Sequence, residues 1–189
     1  IYYFELQDLF FWFNNPYLSK CAILSTIALF FGPIIQNIFT FYNDDFSYLY
    51  RNSIKNYLIH LQREIFDFET FKTIIIGPFT EEMIYRSFAC TLWEKSGISK
   101  MQIIFALPFI FGVSHLNKVF LTKSLTEITL RDFLPYIVVL GYTTLFGWWE
   151  SFVWLKTHSY LTCVFLHSFC NYMQFPNFAA ALNWGHPVQ

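Results

Sequence analysis

The chain has 189 residues, of which 55% are hydrophobic, 23% aromatic and only 13% charged, with 25 phenylalanines. Twelve Lys and Arg against thirteen Asp and Glu give a net charge of −1. A disordered chain would have few aromatics and many charges, and a nucleic-acid-binding domain would have a basic surplus, so the composition excludes both classes. An ordinary soluble domain has about 25% charged residues, which is well above the fraction found here.

Charged residues are concentrated in a few segments of the chain. They cluster in Asp44–Lys72, whereas Cys21–Asn43 and Thr157–Gln189 contain none. Long apolar stretches separated by charged ones are typical of a protein that crosses a membrane several times. The hydrophobic segments are, in chain order, Tyr2–Phe13, Cys21–Phe41, Phe71–Trp93, Met101–Leu116, Phe133–Leu155 and Tyr160–Leu182.

The lengths of these segments predict helices, and no strand-type alternation or internal repeat is present. Phe133–Leu155, for example, would extend about 34 Å as a helix, which is enough to cross a bilayer. We therefore expect an all-α fold, a polytopic transmembrane helical bundle, with a single domain over residues 1–189. Because the chain begins at Ile1 within an aromatic run, we also expect that domain to be truncated at its N-terminus.

The four cysteines lie in apolar runs, and none forms a C-x-x-C pair. This pattern argues against a disulfide framework and against a zinc knuckle. We expect buried thiols at Cys21, Cys90, Cys163 and Cys170.

Three charged residues, Glu81, Glu82 and Arg86, lie within the apolar segment Phe71–Trp93. A charge inside a membrane span costs roughly 2.5–3.5 kcal/mol, so such residues are candidates for function. Glu82 and Arg86 are four residues apart on one helix face and can neutralise each other. Glu81 points about 100° away and is the carboxylate that we expect to transfer protons. A purely structural ion-pair network at a helix end is the alternative interpretation.

Two histidines and an asparagine lie in other apolar segments. His115 closes the run that begins at Phe109, and Asn171 follows His167 by one helical turn. A single intramembrane histidine is often only hydrogen-bonded to a neighbouring helix. Together with Glu81, however, these residues come from three separate segments, and they predict one shared polar site in a cavity within the membrane.

Three motifs in this order match a known family. They are Glu81-Glu82-x-x-x-Arg86, Phe111-x-x-x-His115 and His167-x-x-x-Asn171. They resemble the signature motifs of the CAAX prenyl endopeptidase and bacteriocin-processing superfamily. The runs Thr143-Thr144-Leu145-Phe146-Gly147 and His167-Ser168-Phe169-Cys170-Asn171-Tyr172-Met173 are similar to its type II, or Ras-converting enzyme, branch.

This resemblance implies a multi-pass endopeptidase of the endoplasmic reticulum membrane. Its partners would be membrane lipid and farnesylated or geranylgeranylated CAAX proteins such as small GTPases, with no nucleic acid, metal or cofactor. The enzyme would remove the C-terminal aaX tripeptide. By the same resemblance, Glu81 and His115 would activate the attacking water, His167 and Asn171 would form the oxyanion hole, and Glu82 with Arg86 would support them.

Three other functions fit the same residues. Glu81, His115 and His167 could bind zinc, as Glu and His side chains do in metalloproteases, although no H-E-x-x-H motif is present. Cys170 and His167 could form a cysteine protease pair, but no cation near Cys170 in the sequence would activate the thiol. An inactive membrane scaffold of the same fold is the third alternative.

One further charged residue, Glu150, lies in the apolar segment Phe133–Leu155. Its neighbours include Trp148, Trp149 and Trp154. Because aromatic belts form where a bilayer meets water, we expect Glu150 at the membrane interface.

Overall fold

The computed structural model describes residues 14–35, 67–114 and 130–173, and no strand occurs in these ranges. The all-α prediction is therefore confirmed for them, while the predicted segment Tyr2–Phe13 lies outside them. The helices are α1 (Pro16–Leu29), α2 (Phe68–Phe71), π1 (Lys72–Ile76), α3 (Gly77–Glu82), π2 (Met83–Cys90), α4 (Thr91–Lys95), α5 (Lys100–Ser114), α6 (Leu130–Thr157) and α7 (Tyr160–Met173).

Most of the predicted segments overlap these helices, although α1 already begins at Pro16, before the predicted start at Cys21. The segment Phe71–Trp93 became the uninterrupted series from α2 to α4, and Phe133–Leu155 lies within α6. Among the helices of the described ranges, none has both the length and the apolar character that crossing a membrane requires.

Capping residues define both ends of the series from α2 to α4. At its start, the Asp67 carboxylate accepts a hydrogen bond from the Thr70 backbone N–H at 3.3 Å. At its end, Gly97 has a φ of 77°, the left-handed conformation that glycine adopts without steric cost. The Gly97 N–H donates to the Glu94 carbonyl and the Ile98 N–H to the Trp93 carbonyl. This Schellman motif satisfies the last helical carbonyls and ends α4.

The chain forms two compact units. The first contains Ile1–Lys20 and Phe79–Val164, and the second contains Cys21–Pro78 and Phe165–Gln189. A single domain over residues 1–189 remains a prediction.

In the first unit, α5 and α6 pack against each other in antiparallel orientation. Rising residue numbers on α5 meet falling numbers on α6, because Phe105 contacts Trp148, Pro108 contacts Gly147, and Gly112 contacts Thr144. The Trp148 indole N–H also donates to the Phe105 carbonyl at 3.3 Å.

Two glycines permit this close packing. A Cβ atom at Gly147 would lie 2.7 Å from the Pro108 Cβ, and one at Gly112 would lie 2.6 Å from the Thr144 hydroxyl oxygen. Both distances are shorter than ordinary van der Waals contact. The two helix backbones can therefore approach only because these positions carry no side chain.

In the second unit, aromatic side chains make the packing contacts. The Phe169 ring on α7 lies 5.6 Å from the Phe30 ring in an edge-to-face arrangement, and it stacks on Phe165. Such arrangements suit the charge distribution of aromatic rings. Across both units the cysteines are free thiols, and three of them are buried as predicted, whereas Cys21 is exposed.

We expect Gly147→Ala to destabilise the protein by about 1–3 kcal/mol, because the added methyl group must push α5 away from α6. Gly141→Ala on the same helix is the matched control, since a Cβ there meets no atom within 4 Å. That control should be neutral or slightly stabilising. Chemical denaturation of both variants measures the difference, and equal stability of the two would contradict the close-packing argument.

Candidate active site

The first motif lies where the helix changes from α to π geometry. Glu81 and Glu82 are the last two residues of α3, and Arg86 lies in π2. π-Helical turns are rare and occur frequently at functional sites, because the extra residue in the turn redirects side chains and carbonyls. The backbone at this motif is therefore unusual in the way that functional sites often are.

The predicted ion pair between Glu82 and Arg86 is present. The Arg86 Nε lies 3.3 Å from a Glu82 carboxylate oxygen. The two side chains are 1% and 0% exposed, respectively. The contact is an ion pair without hydrogen-bond geometry, and a charge so fully removed from water is tolerated only beside an opposite charge. Glu82 is thus committed to the guanidinium.

The structure corrects the prediction for Glu150, whose side chain is enclosed in the protein instead of exposed at an interface. Its side chain is 1% exposed, and its carboxylate oxygen lies 2.6 Å from the Arg86 Nη2. One guanidinium is therefore shared by two buried carboxylates from different helices. We name Glu82, Arg86 and Glu150 the buried ion triad. The sequence signal that could have revealed it is a carboxylate inside an otherwise apolar helix, which needs a buried cation.

The second motif meets the first through its aromatic residue. The Arg86 guanidinium lies 5.5 Å from the centroid of the Phe111 ring, within the range of a cation–π contact. Phe111 also packs edge-to-face on Tyr85, with 4.6 Å between ring centroids. The other residue of this motif, His115, lies outside the described residues.

Glu81 differs from its neighbour Glu82 in burial. Glu82 is completely enclosed, whereas Glu81 is half-buried. The two carboxylates follow each other in the sequence but point to different sides of the helix, as the spacing predicts. The chain therefore has one glutamate committed to an internal ion pair and one that solvent can reach.

The third motif lies on α7 in the second unit. His167 is 7% exposed, and Asn171 lies one turn further on. The Asn171 side-chain Nδ2 donates to the backbone carbonyl of Thr73 at 3.0 Å. This bond connects α7 to π1.

Pro78 explains why the Thr73 carbonyl can accept a bond from a side chain. In π1 the Gly77 N–H donates to the Lys72 carbonyl, five residues back. The next bond in that register would join residue 78 to the Thr73 carbonyl, but proline has no N–H. The carbonyl therefore lacks this helical donor, and Asn171 donates to it instead.

The structure thus brings together some of the predicted residues. The first unit joins Glu82, Arg86 and Phe111, and the second unit contains His167 and Asn171. The convergence of Glu81, His115, His167 and Asn171 on one point stays a prediction.

We expect Arg86→Gln to destabilise the protein by about 3–5 kcal/mol, because two buried carboxylates would lose the cation that they share. Lys72→Gln is the control, since Lys72 is 60% exposed and pairs with Glu69 at 3.6 Å. An exposed pair of this kind contributes about 0–1 kcal/mol. Denaturant unfolding of both variants provides the measurement, and similar losses in the two would show that the triad does not need its cation.

Comparison with known proteins identifies relatives that are all named CAAX prenyl proteases. The model of the family described as type II CAAX prenyl endopeptidase Rce1-like matches residues 67–173. The chain is 31% identical over 176 residues to Probable CAAX prenyl protease 2 of Schizosaccharomyces pombe. This alignment covers 84% of the chain and 64% of that relative. The chain is 30% identical over 169 residues to CAAX prenyl protease 2 of Homo sapiens. That alignment covers 87% of the chain and 49% of the human relative. No solved structure shows a significant match.

The chain spans 64% of the length of the Schizosaccharomyces pombe relative and 49% of that of the human one. The matched family region begins at Asp67 and ends at Met173, so it includes the ion triad and both residues of the third motif. Because this region makes up more than half of the chain, the protein belongs to the type II CAAX prenyl endopeptidase Rce1-like family.

Proposed function

We propose that this protein is an intramembrane endopeptidase that removes the C-terminal aaX tripeptide from prenylated CAAX proteins. The observation that carries the proposal is the contrast between two adjacent glutamates. Glu82 is fully enclosed and paired with Arg86, whereas Glu81 is half-buried on another side of the helix. An enzyme that activates water needs such a solvent-accessible carboxylate, and the family motif supplies it at Glu81.

In the proposed reaction, Glu81 and His115 bind a water molecule and remove its proton as the oxygen attacks the scissile carbonyl. His167 and Asn171 donate hydrogen bonds to the oxyanion that forms. When the carbon–nitrogen bond breaks, the proton held by the glutamate passes to the leaving amine. General base catalysis and oxyanion stabilisation together lower the barrier of peptide hydrolysis.

The hydrogen bond of Asn171 supports its proposed role as an oxyanion donor. A carboxamide nitrogen carries two hydrogens, and the bond to the Thr73 carbonyl uses one of them. This bond fixes the plane of the amide, so that the second hydrogen has a defined direction. A donor oriented before the reaction stabilises a developing charge without reorganisation.

The proposed substrates and location follow from family membership and from the apolar surface. Large apolar side chains follow one another along π2 and α4, with Ile84, Phe88 and Leu92 exposed by 53%, 50% and 40%. Such a surface suits contact with lipid. We propose a multi-pass location in the endoplasmic reticulum membrane, where the prenyl chain of a small GTPase could stay in lipid during cleavage.

Glu81→Gln and His115→Ala should each abolish tripeptide release, because each removes a group that activates the water. The assay is cleavage of a farnesylated CAAX peptide by the full-length protein in lipid. Glu94→Gln is the matched control: this carboxylate is 30% exposed, and it pairs with Lys100 at 3.8 Å. The control should cleave normally, whereas full activity of Glu81→Gln would remove that residue from the mechanism.

Asn171→Ala should lower kcat by about 10²–10³-fold, the usual effect of losing one oxyanion donor. Pro78→Ala should also lower kcat, but by a smaller factor, because the new N–H can compete with Asn171 for the Thr73 carbonyl. Gln102→Ala, which deletes an exposed carboxamide, is the control and should leave kcat unchanged. Wild-type kcat in Asn171→Ala would exclude this residue from the oxyanion hole.

A further inference from the structure

We propose that Glu150 is a positioning residue, which fixes Arg86 and thereby the helical turn that carries the two adjacent glutamates. This inference rests on the proposed endopeptidase activity. Glu150 lies on α6, 64 positions from Arg86 in the sequence, and belongs to none of the three family motifs.

The Arg86 guanidinium lies closer to Glu150, which is on another helix, than to Glu82, which precedes it in the same helical series. Arg86 Nη2 lies 2.6 Å from the Glu150 carboxylate, whereas Arg86 Nε lies 3.3 Å from the Glu82 carboxylate. Short bonds between ionised groups are the strong ones in proteins. The position of the guanidinium is therefore determined by α6 as much as by its own helix.

The surroundings leave the guanidinium little room to move. Gly147, three residues before Glu150, lets α6 come close to Arg86, since even a Cβ there would be in ordinary contact with Nη2 at 3.5 Å. The Phe111 ring lies 5.5 Å from the guanidinium carbon, and Glu82 occupies a further side. The ring and the two carboxylates therefore hold the guanidinium, which links the position of Glu150 to that of Glu82.

The same turn is supported at a second point. The Tyr160 hydroxyl donates to the Phe79 carbonyl at 2.6 Å, two residues before Glu81. The contact between Glu150 and Arg86 supports the chain after the glutamate pair, in π2. Because Glu81 directly precedes Glu82, the direction of its side chain depends on this backbone. A displacement of about 1 Å in a catalytic group can cost roughly 10²-fold in rate.

The experiment compares Glu150→Gln, Glu150→Asp and the control Glu94→Gln in the full-length protein. For Glu150→Gln we expect kcat to fall about 10–100-fold. We expect KM to change less than about twofold, because substrate does not touch this residue. Glu150→Asp keeps the charge and should recover part of the lost kcat. Rates are normalised to the folded fraction, so a residue that contributes only to stability would leave kcat unchanged.

A second measurement does not depend on the activity. Cys90 is 0% exposed and lies one turn after Arg86, at the end of π2. Iodoacetamide labelling of Cys90, followed by peptide mass spectrometry, reports whether the turn has loosened. We expect labelling to become about tenfold faster in Glu150→Gln, through more frequent local opening. The rate in Glu94→Gln should equal that of the wild type.

The outcomes separate the two proposals. If the wild type cleaves the peptide and Glu150→Gln retains wild-type kcat, Glu150 is not a positioning residue. If the wild type is as inactive as Glu81→Gln, the proposed function fails, and Cys90 labelling then decides this inference alone. Unchanged labelling in Glu150→Gln would overturn it, and faster labelling would support the role of Glu150 in fixing the turn.

Discussion

The need to neutralise one buried guanidinium constrains the first unit more than any other interaction. Arg86 is almost completely removed from water, and its charge would be intolerable there without carboxylates in contact. Glu82 can reach it because the two residues are one turn apart, but Glu150 can reach it only if α6 lies alongside. The ion triad therefore couples a local property of the first motif to the packing of distant helices.

Close helix packing makes this coupling possible. Gly147 lies against Pro108 and near the guanidinium, and a side chain there would have to push Pro108 and α5 away. Gly112 likewise permits the close approach of α5 and α6, at a point nearer the end of α5. Small residues at such positions let backbones approach until polar side chains meet. The packing of α5 on α6 and the geometry of the ion triad are thus two results of one arrangement.

Side chains from α7 donate hydrogen bonds to backbone carbonyls near the non-α turns of the series from α2 to α4. Pro78 cannot donate to the Thr73 carbonyl, and the amide of Asn171 does so in the second unit. In the first unit, the hydroxyl of Tyr160 donates to the Phe79 carbonyl near the change from α to π geometry.

The sequence by itself determined the helical class of the described ranges, the bounds of some helices and the Glu82–Arg86 pair, because hydrophobic segment length and i, i+4 spacing are local properties. It also identified the family through three short motifs. The sequence could not assign Glu150 correctly, since its neighbours in the chain are tryptophans and its cation lies on another helix. Nor could it show that Asn171 binds the Thr73 carbonyl. Only the tertiary structure decided these contacts, because they join residues 64 and 98 positions apart.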